Sequence, residues 1–159
     1  MTTIDGKINL ESITACDCEF EEVPSWIKEQ TNLRHLFLIK NQISELPSWL
    51  QNLPQLLLLD LSDNKLLQTI PRPNTIFRLD LDHCDIRSLP HDLFQYKISE
   101  AYLRGNKLLQ TIPSPNSDLK TLIVSDCDIR SLPRDFFHHG LKYVNVSNNK
   151  GEEGRANRK

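Results

Sequence analysis

The 159-residue chain has no apolar run of the ~18 residues that a membrane-spanning helix needs, so nothing in it is expected to cross a bilayer. It has almost no net charge: the formal value is −2, which gives no footing for binding nucleic acid or an anionic membrane. Its first residues, MTTIDGKINLES, lack a basic region followed by an apolar core, so no secretory signal is visible. It lacks a phosphate-binding loop, a dinucleotide fingerprint, a zinc-protease motif and a Gly-x-Ser-x-Gly elbow, and with them the common routes to catalysis. Only 38% of its residues are hydrophobic, which suits a core one strip wide better than a thick one.

What the chain does have is itself, twice. NKLLQTIP stands at Asn64–Pro71 and again at Asn106–Pro113, and CDIRSLP at Cys84–Pro90 and again at Cys127–Pro133. Each copy divides into two smaller units of the form L-x-x-L-x-L-x-x-N/C-x-L. With the first Leu as position 1, seven units begin at Leu10, Leu33, Leu56, Ile76, Ile98, Leu119 and Leu141. Position 4 holds Ile13, Leu36, Leu59, Leu79, Ala101, Leu122 and Val144, and position 6 holds Ala15, Leu38, Leu61, Leu81, Leu103, Val124 and Val146. Alternation at 4 and 6 is one face of a strand. No unit can bury that face alone, so stacked neighbours must bury it jointly.

This pattern resembles the leucine-rich repeat family, with typical and plant-like repeat types mixed. The resemblance implies an α/β solenoid: a horseshoe with a parallel concave β-sheet and short helical or extended outer segments. It divides the chain into a capping segment at 1–9, a seven-unit solenoid at 10–149 and a disordered tail at 150–159. Asp5-Gly6 between Ile4 and Ile8 predicts a small hairpin over the first edge of the core. No C-terminal cap is recognisable after Asn149, so either the chain is a piece of a longer one or its end packs on something else.

Position 9 is Asn41, Asn64, Asn106 and Asn149 in four units, and Cys18, Cys84 and Cys127 in the other three. The resemblance implies that these side chains bond buried backbone of adjacent turns, which Asn can do from both ends of its amide. Cys does so weakly but packs as a small hydrophobe. Cys18, Cys84 and Cys127 are therefore expected in the core, with Cys16 at position 7 exposed. This outweighs reading Cys16-x-Cys18 as a metal pair. Free thiols, absent cysteine-rich caps and no signal favour a reducing compartment: the cytoplasm, or a host cytosol for a translocated protein.

The outer segments differ. Pro24 and Pro47 end extended stretches, and Ser25 and Ser48 are placed to cap a short helix or 3-10 turn. Trp26 and Trp49 then shield gaps between outer segments; a binding role is the weaker reading. Leu93, Phe94, Phe136 and Phe137 are expected to pack beneath the outer surface. Units three and five place Ile-Pro one residue later, and their paired prolines disfavour helix. Two turn types therefore alternate, which implies duplication of a two-unit block.

Isolated chemical residues read better as structure. His83-Cys84-Asp85 looks like a nucleophile with neighbours, but the register buries Cys84 and sends His83 elsewhere. His138-His139 lacks a third ligand, and Asn145-Val146-Ser147 fits a glycosylation site only in a secreted protein. No cofactor or metal is expected. The informative surface is the concave one, which positions 2, 3, 5, 7 and 8 face. Phe37, Ile39, Leu58, Tyr102, Ile123 and Tyr143 place apolar and aromatic groups there, and exposed apolar patches mark interaction sites. Asp60, Asp80, Asp82 and Asp63 form an acidic cluster flanked by Arg78 and Arg104; either the arginines neutralise it or it receives a basic partner segment. The expected function is a monomeric, non-enzymatic module that binds another protein on its concave face. The recognition half of a bacterial effector and an enzyme are the alternatives.

Overall fold

The computed structural model describes residues 2–4, 7–72, 75–138 and 140–151, with side chains from Asn9 onward except that of His138. Seven three-residue strands form one parallel sheet in chain order: β3 (Ser12–Thr14), β4 (His35–Phe37), β5 (Leu58–Asp60), β6 (Arg78–Asp80), β7 (Glu100–Tyr102), β8 (Thr121–Ile123) and β9 (Tyr143–Asn145). Before them, β1 (Thr2–Ile4) and β2 (Lys7–Asn9) pair antiparallel. The Asp5-Gly6 turn between them lies outside the described residues, as do Pro73, Asn74, His139 and the tail from 152.

The register follows the repeat. Ile13, Leu36, Leu59, Leu79, Ala101, Leu122 and Val144 pair strand to strand and point inward. From Leu36 to Val124 every residue at positions 4 and 6 is buried, joined by Leu33, Leu56, Ile98 and Leu119 at position 1. Each such aliphatic side chain contributes roughly 1.5–3 kcal/mol on burial, but only once a neighbouring repeat supplies the other wall. The first and last repeats have one neighbour each in the sheet, and Ala15, Val144 and Val146 are only half-buried.

Position 8 is the exit from every strand. Asp17, Lys40, Asp63, His83, Gly105, Asp126 and Asn148 all have φ between 54° and 76°. The left-handed turn drives the next residue into the core. Asp, Asn and Gly tolerate that backbone best, and they fill five of the seven sites. Column 8 is therefore a turn column.

Position 9 then ties repeat to repeat. The Asn64 carbonyl oxygen accepts the Ile43 N–H at 3.0 Å, while its amide donates to the carbonyls of Leu38 at 2.9 Å and Leu61 at 2.7 Å. Asn106 does the same with Ile86 N–H, Leu81 and Leu103, and Asn149 with Ile129 N–H, Val124 and Val146. Asn41 accepts from both Cys18 and Phe20. In every case one accepted N–H of the preceding repeat belongs to its position 11. The two cysteines follow units three and five, where that position is Leu66 or Leu108, both exposed. There the next residue, Leu67 or Leu109, is buried instead and closes its own turn by donating to the Asn64 or Asn106 carbonyl. With the position 11 residue exposed, no buried residue there looks to the ladder and a thiol suffices: Cys84 donates to Leu61 O at 3.3 Å and Cys127 to Leu103 O at 3.1 Å.

Cys18 departs from the expected burial. It is exposed, and its thiol turns back to Cys16 O at 3.3 Å, because the first repeat has no earlier turn whose carbonyl it could reach. Cys16 is half-buried.

The outer segments are 3-10 turns at Ser25–Glu29, Ser48–Asn52, Leu93–Gln95 and Phe136–His138. Ser25 and Ser48 start their turns but do not cap them; Pro24 and Pro47 hold the cap positions and no side chain bonds there. Leu93, Phe94 and Phe136 are buried as expected, but Phe137 is 62% exposed. The described residues hold no outer segment beyond Phe137, whereas Phe94 is followed by the outer segment of unit five. Trp49 packs partly on the core, and Trp26 is half-exposed. Around Ile70–Arg72 and Ile112–Asn116 the chain runs without helix.

Candidate functional site: the concave sheet face

Period-two alternation sends positions 3, 5 and 7 to the open side of the sheet. Strand pairing aligns them into columns: Leu58 with Arg78 and Glu100, Asp60 with Asp80, Tyr102 and Ile123. Phe37, Ile39, Leu58, Asp60, Asp82, Tyr102 and Ile123 are half-buried, and Tyr143 and Arg104 are exposed.

At the centre is a polar network around Arg78, whose Nε is buried without a hydrogen-bond partner. The Arg78 guanidinium donates to Asp80 at 3.0 Å, lies 3.6 Å from Glu100 and stacks on the Tyr102 ring, 4.4 Å from its centroid. The Tyr102 hydroxyl donates to Glu100 at 3.3 Å, and the Ser62 hydroxyl donates to Asp80 at 3.2 Å. Asp80 is consequently buried at 7% exposure and does not present a free carboxylate. Arg78 therefore neutralises part of the acidic cluster.

The rest is not neutralised in the same way. Asp60 accepts the Ser62 N–H at 3.0 Å, and Asp82 accepts the Arg104 N–H at 2.7 Å; no described Lys or Arg side chain lies within ion-pair distance of either. Burial pushes the Asp80 carboxyl above the ordinary carboxylate range, against the Arg78 bond that lowers it. Burial also raises Asp82, against the Arg104 N–H bond and the His83 and Arg104 charges that lower it, and the Asp60 charge adds to the rise. The Arg104 side chain turns away from this cluster to Asp126 at 3.1 Å. Asp126 also accepts from Asn148 at 2.8 Å, and these bonds hold it below the ordinary range.

The other candidates stay apart. Burial drives the Cys84 thiol up to about 12, the opposite of an activated nucleophile. His83 lies across Gly105, where an added Cβ would clash with its imidazole. Asn145 accepts from both the Ser147 N–H and hydroxyl, at 3.0 and 2.7 Å. Among the described residues no group of three His, Cys, Asp or Glu is placed to hold a metal, and no helix is long and apolar enough to cross a membrane.

A parallel sheet that adds one strand per repeat, with an asparagine ladder beneath it, defines a solenoid of the leucine-rich class. A model of the leucine-rich repeat family matches residues 9–66. Among solved structures, a chain of the Toll–Spatzle complex, a molecular hub in Drosophila development and innate immunity, superposes with a TM-score of 0.54 at 22% identity. The match covers 89% of this chain and 27% of that chain, so this chain spans about a quarter of its length. No curated protein matches. Residues 9–66 thus match the leucine-rich repeat family, and the chain as a whole has the fold of a leucine-rich repeat solenoid. Leucine-rich repeat domains generally mediate protein–protein interaction.

Proposed function

We propose that the chain is a non-enzymatic binding module that holds a partner protein against its concave face. The observation that carries this is the strip of half-buried apolar and aromatic side chains, Phe37, Ile39, Leu58, Tyr102 and Ile123, along the face of the sheet opposite the core. Interface energy concentrates in a few such anchors. Tyr102 is held by Arg78, so little rotamer freedom is lost when a partner covers it. Asp60 and Asp82 give the strip an unneutralised acidic centre, which favours a basic segment of the partner. The module acts as a monomer in a reducing compartment, consistent with four free thiols.

Affinity capture from lysate tests it, with the wild type beside Phe37→Ala and Tyr102→Ala. A protein captured by the wild type should be lost from both variants and retained by Trp26→Ala on the outer side. Capture that survives both concave substitutions, or fails with Trp26→Ala alone, moves the site to another surface.

A further inference from the structure

The residue just before each strand forms a column along one rim of the sheet. From the second repeat on it reads Arg34, Leu57, Phe77, Ser99, Lys120 and Lys142. The backbone here is closed, because each rim carbonyl accepts two N–H groups of the next repeat. Leu57 O takes those of Phe77 and Arg78, and Phe77 O takes those of Ser99 and Glu100. A partner cannot add a strand at this rim, so it must be recognised through side chains.

Those side chains have a definite order. Leu57 and Phe77, on adjacent strands, are 43% and 49% exposed. Arg34 lies one strand to one side; Lys120 and Lys142 lie two and three strands to the other. None of the three cations has a carboxylate within ion-pair distance among the described residues, and Lys120 bonds only the Ser117 carbonyl. Nearby carboxylates are Glu11, one strand beyond Arg34, Asp118, and Glu100, which Arg78 and Tyr102 already engage. The rim is thus an apolar centre between unpaired cations, in a chain whose overall charge is −2.

We propose that this rim docks a short acidic segment of another protein, with apolar side chains over Leu57 and Phe77 and carboxylates at each end. Arg34 would take one end, Lys120 and Lys142 the other. Five strand spacings separate Arg34 from Lys142, about 24 Å, which is roughly seven residues of extended chain. Asp60 and Asp82 on the concave face repel such a segment and confine it to the rim. This site uses a different column from the concave strip and stands or falls separately.

The test is to pan a random decapeptide display library on the full chain and measure the enriched peptide, synthesised with a fluorescent label, by anisotropy. Enriched sequences should carry Asp or Glu around a Leu- or Phe-containing middle. Binding should weaken about tenfold or more in Phe77→Ser and in the Lys120→Glu/Lys142→Glu double variant, and weaken with added salt. It should be unchanged in Tyr102→Ala. The lysine variant leaves the apolar core untouched and removes one bond, to the Ser117 carbonyl, so it decides the matter if Phe77→Ser fails to fold. No enrichment, enrichment of basic or uncharged peptides, or binding that survives the lysine variant would overturn the proposal. So would binding that Tyr102→Ala abolishes while the rim variants leave it intact.

Discussion

Replacing Asn106 by Cys asks whether the asparagine ladder is set by turn type. Cys already stands at this position in two neighbouring repeats, so a reading from the repeat pattern alone makes the change neutral. The structure says otherwise. Asn106 accepts the Ile86 N–H, and Ile86 is fully buried. A thiol can still donate to Leu81 O, as the native cysteines do to their carbonyls, but it is too weak an acceptor to replace the amide oxygen. One buried N–H is orphaned, at about 1–3 kcal/mol. Asn106→Ala also strips Leu81 O of its Asn106 amide donor, so two groups are orphaned and the loss rises to roughly 2–6 kcal/mol. Cys84→Ala is the control. Leu61 O keeps the Asn64 amide at 2.7 Å, so the loss is limited to a small cavity, about 1 kcal/mol. In a chain of this size each kcal/mol moves the midpoint by roughly 2–4 °C. Thermal melts followed by circular dichroism should therefore rank Cys84→Ala mildest, Asn106→Cys next and Asn106→Ala worst. If Asn106→Cys melts with the wild type, the coupling between turn type and ladder residue is wrong.

Other expectations follow from single features. Cys16 and Cys18 should react with a thiol reagent in the native state while Cys84 and Cys127 resist, being buried with thiols raised to about 12 and about 11; four thiols should titrate after denaturation without reductant. Lys40 is exposed with φ of 54°, so Lys40→Gly should raise stability by about 0.5–1 kcal/mol in urea unfolding, and a loss would show that the lysine side chain contributes more than the strain costs. Asp82 has a raised folded pKa, so the folded state holds its proton more tightly than the unfolded chain does. Its contribution is complete below the unfolded value and is lost as pH rises through the folded value. Asp82→Asn keeps an acceptor for the Arg104 N–H and should flatten that fall and melt higher at pH 7; a lower neutral melt would mean the charge itself stabilises.

Much of this architecture was legible because the strand period and the repeat period both leave marks on composition. The residues at positions 4 and 6 needed nothing but alternation. The turn at position 8 was missed, because Lys40 and His83 obscured its Asp, Asn and Gly content and the column was assigned to the sheet face. Failures came where a residue's environment depends on its place in the stack. Cys18 carries the same motif as Cys84, yet only Cys84 has an earlier turn to lean on. Phe137 matches Phe94, but no described outer segment follows it. On the concave face the columns could be read and the pairings could not. Nothing in the order of charges says that Arg78 closes on Asp80 and Glu100 while Arg104 turns to Asp126. That choice buries Asp80 and leaves Asp60 and Asp82 as the carboxylates a partner would meet.

The duplicated block has a physical unit of its own. A turn that places its buried Leu at position 12 satisfies its own N–H and can be followed by Cys; a turn that buries position 11 must be followed by Asn. Turn type and next ladder residue are therefore one device divided between two repeats. Copying a single repeat of the duplicated stretch would place an Asn against a closed turn or a Cys against an open N–H, and either leaves a buried polar group without a partner. Copying two together keeps the match. That is why NKLLQTIP and CDIRSLP travel as a pair, and why the outer contour alternates while the concave columns run unbroken from β3 to β9. The concave face can then vary from repeat to repeat without disturbing the ladder beneath it, because the ladder takes only carbonyl and N–H groups and position 9 side chains. Phe37, Asp60, Arg78, Tyr102 and Ile123 differ in chemistry yet sit on one regular frame, which is the condition for a surface that recognises a particular partner.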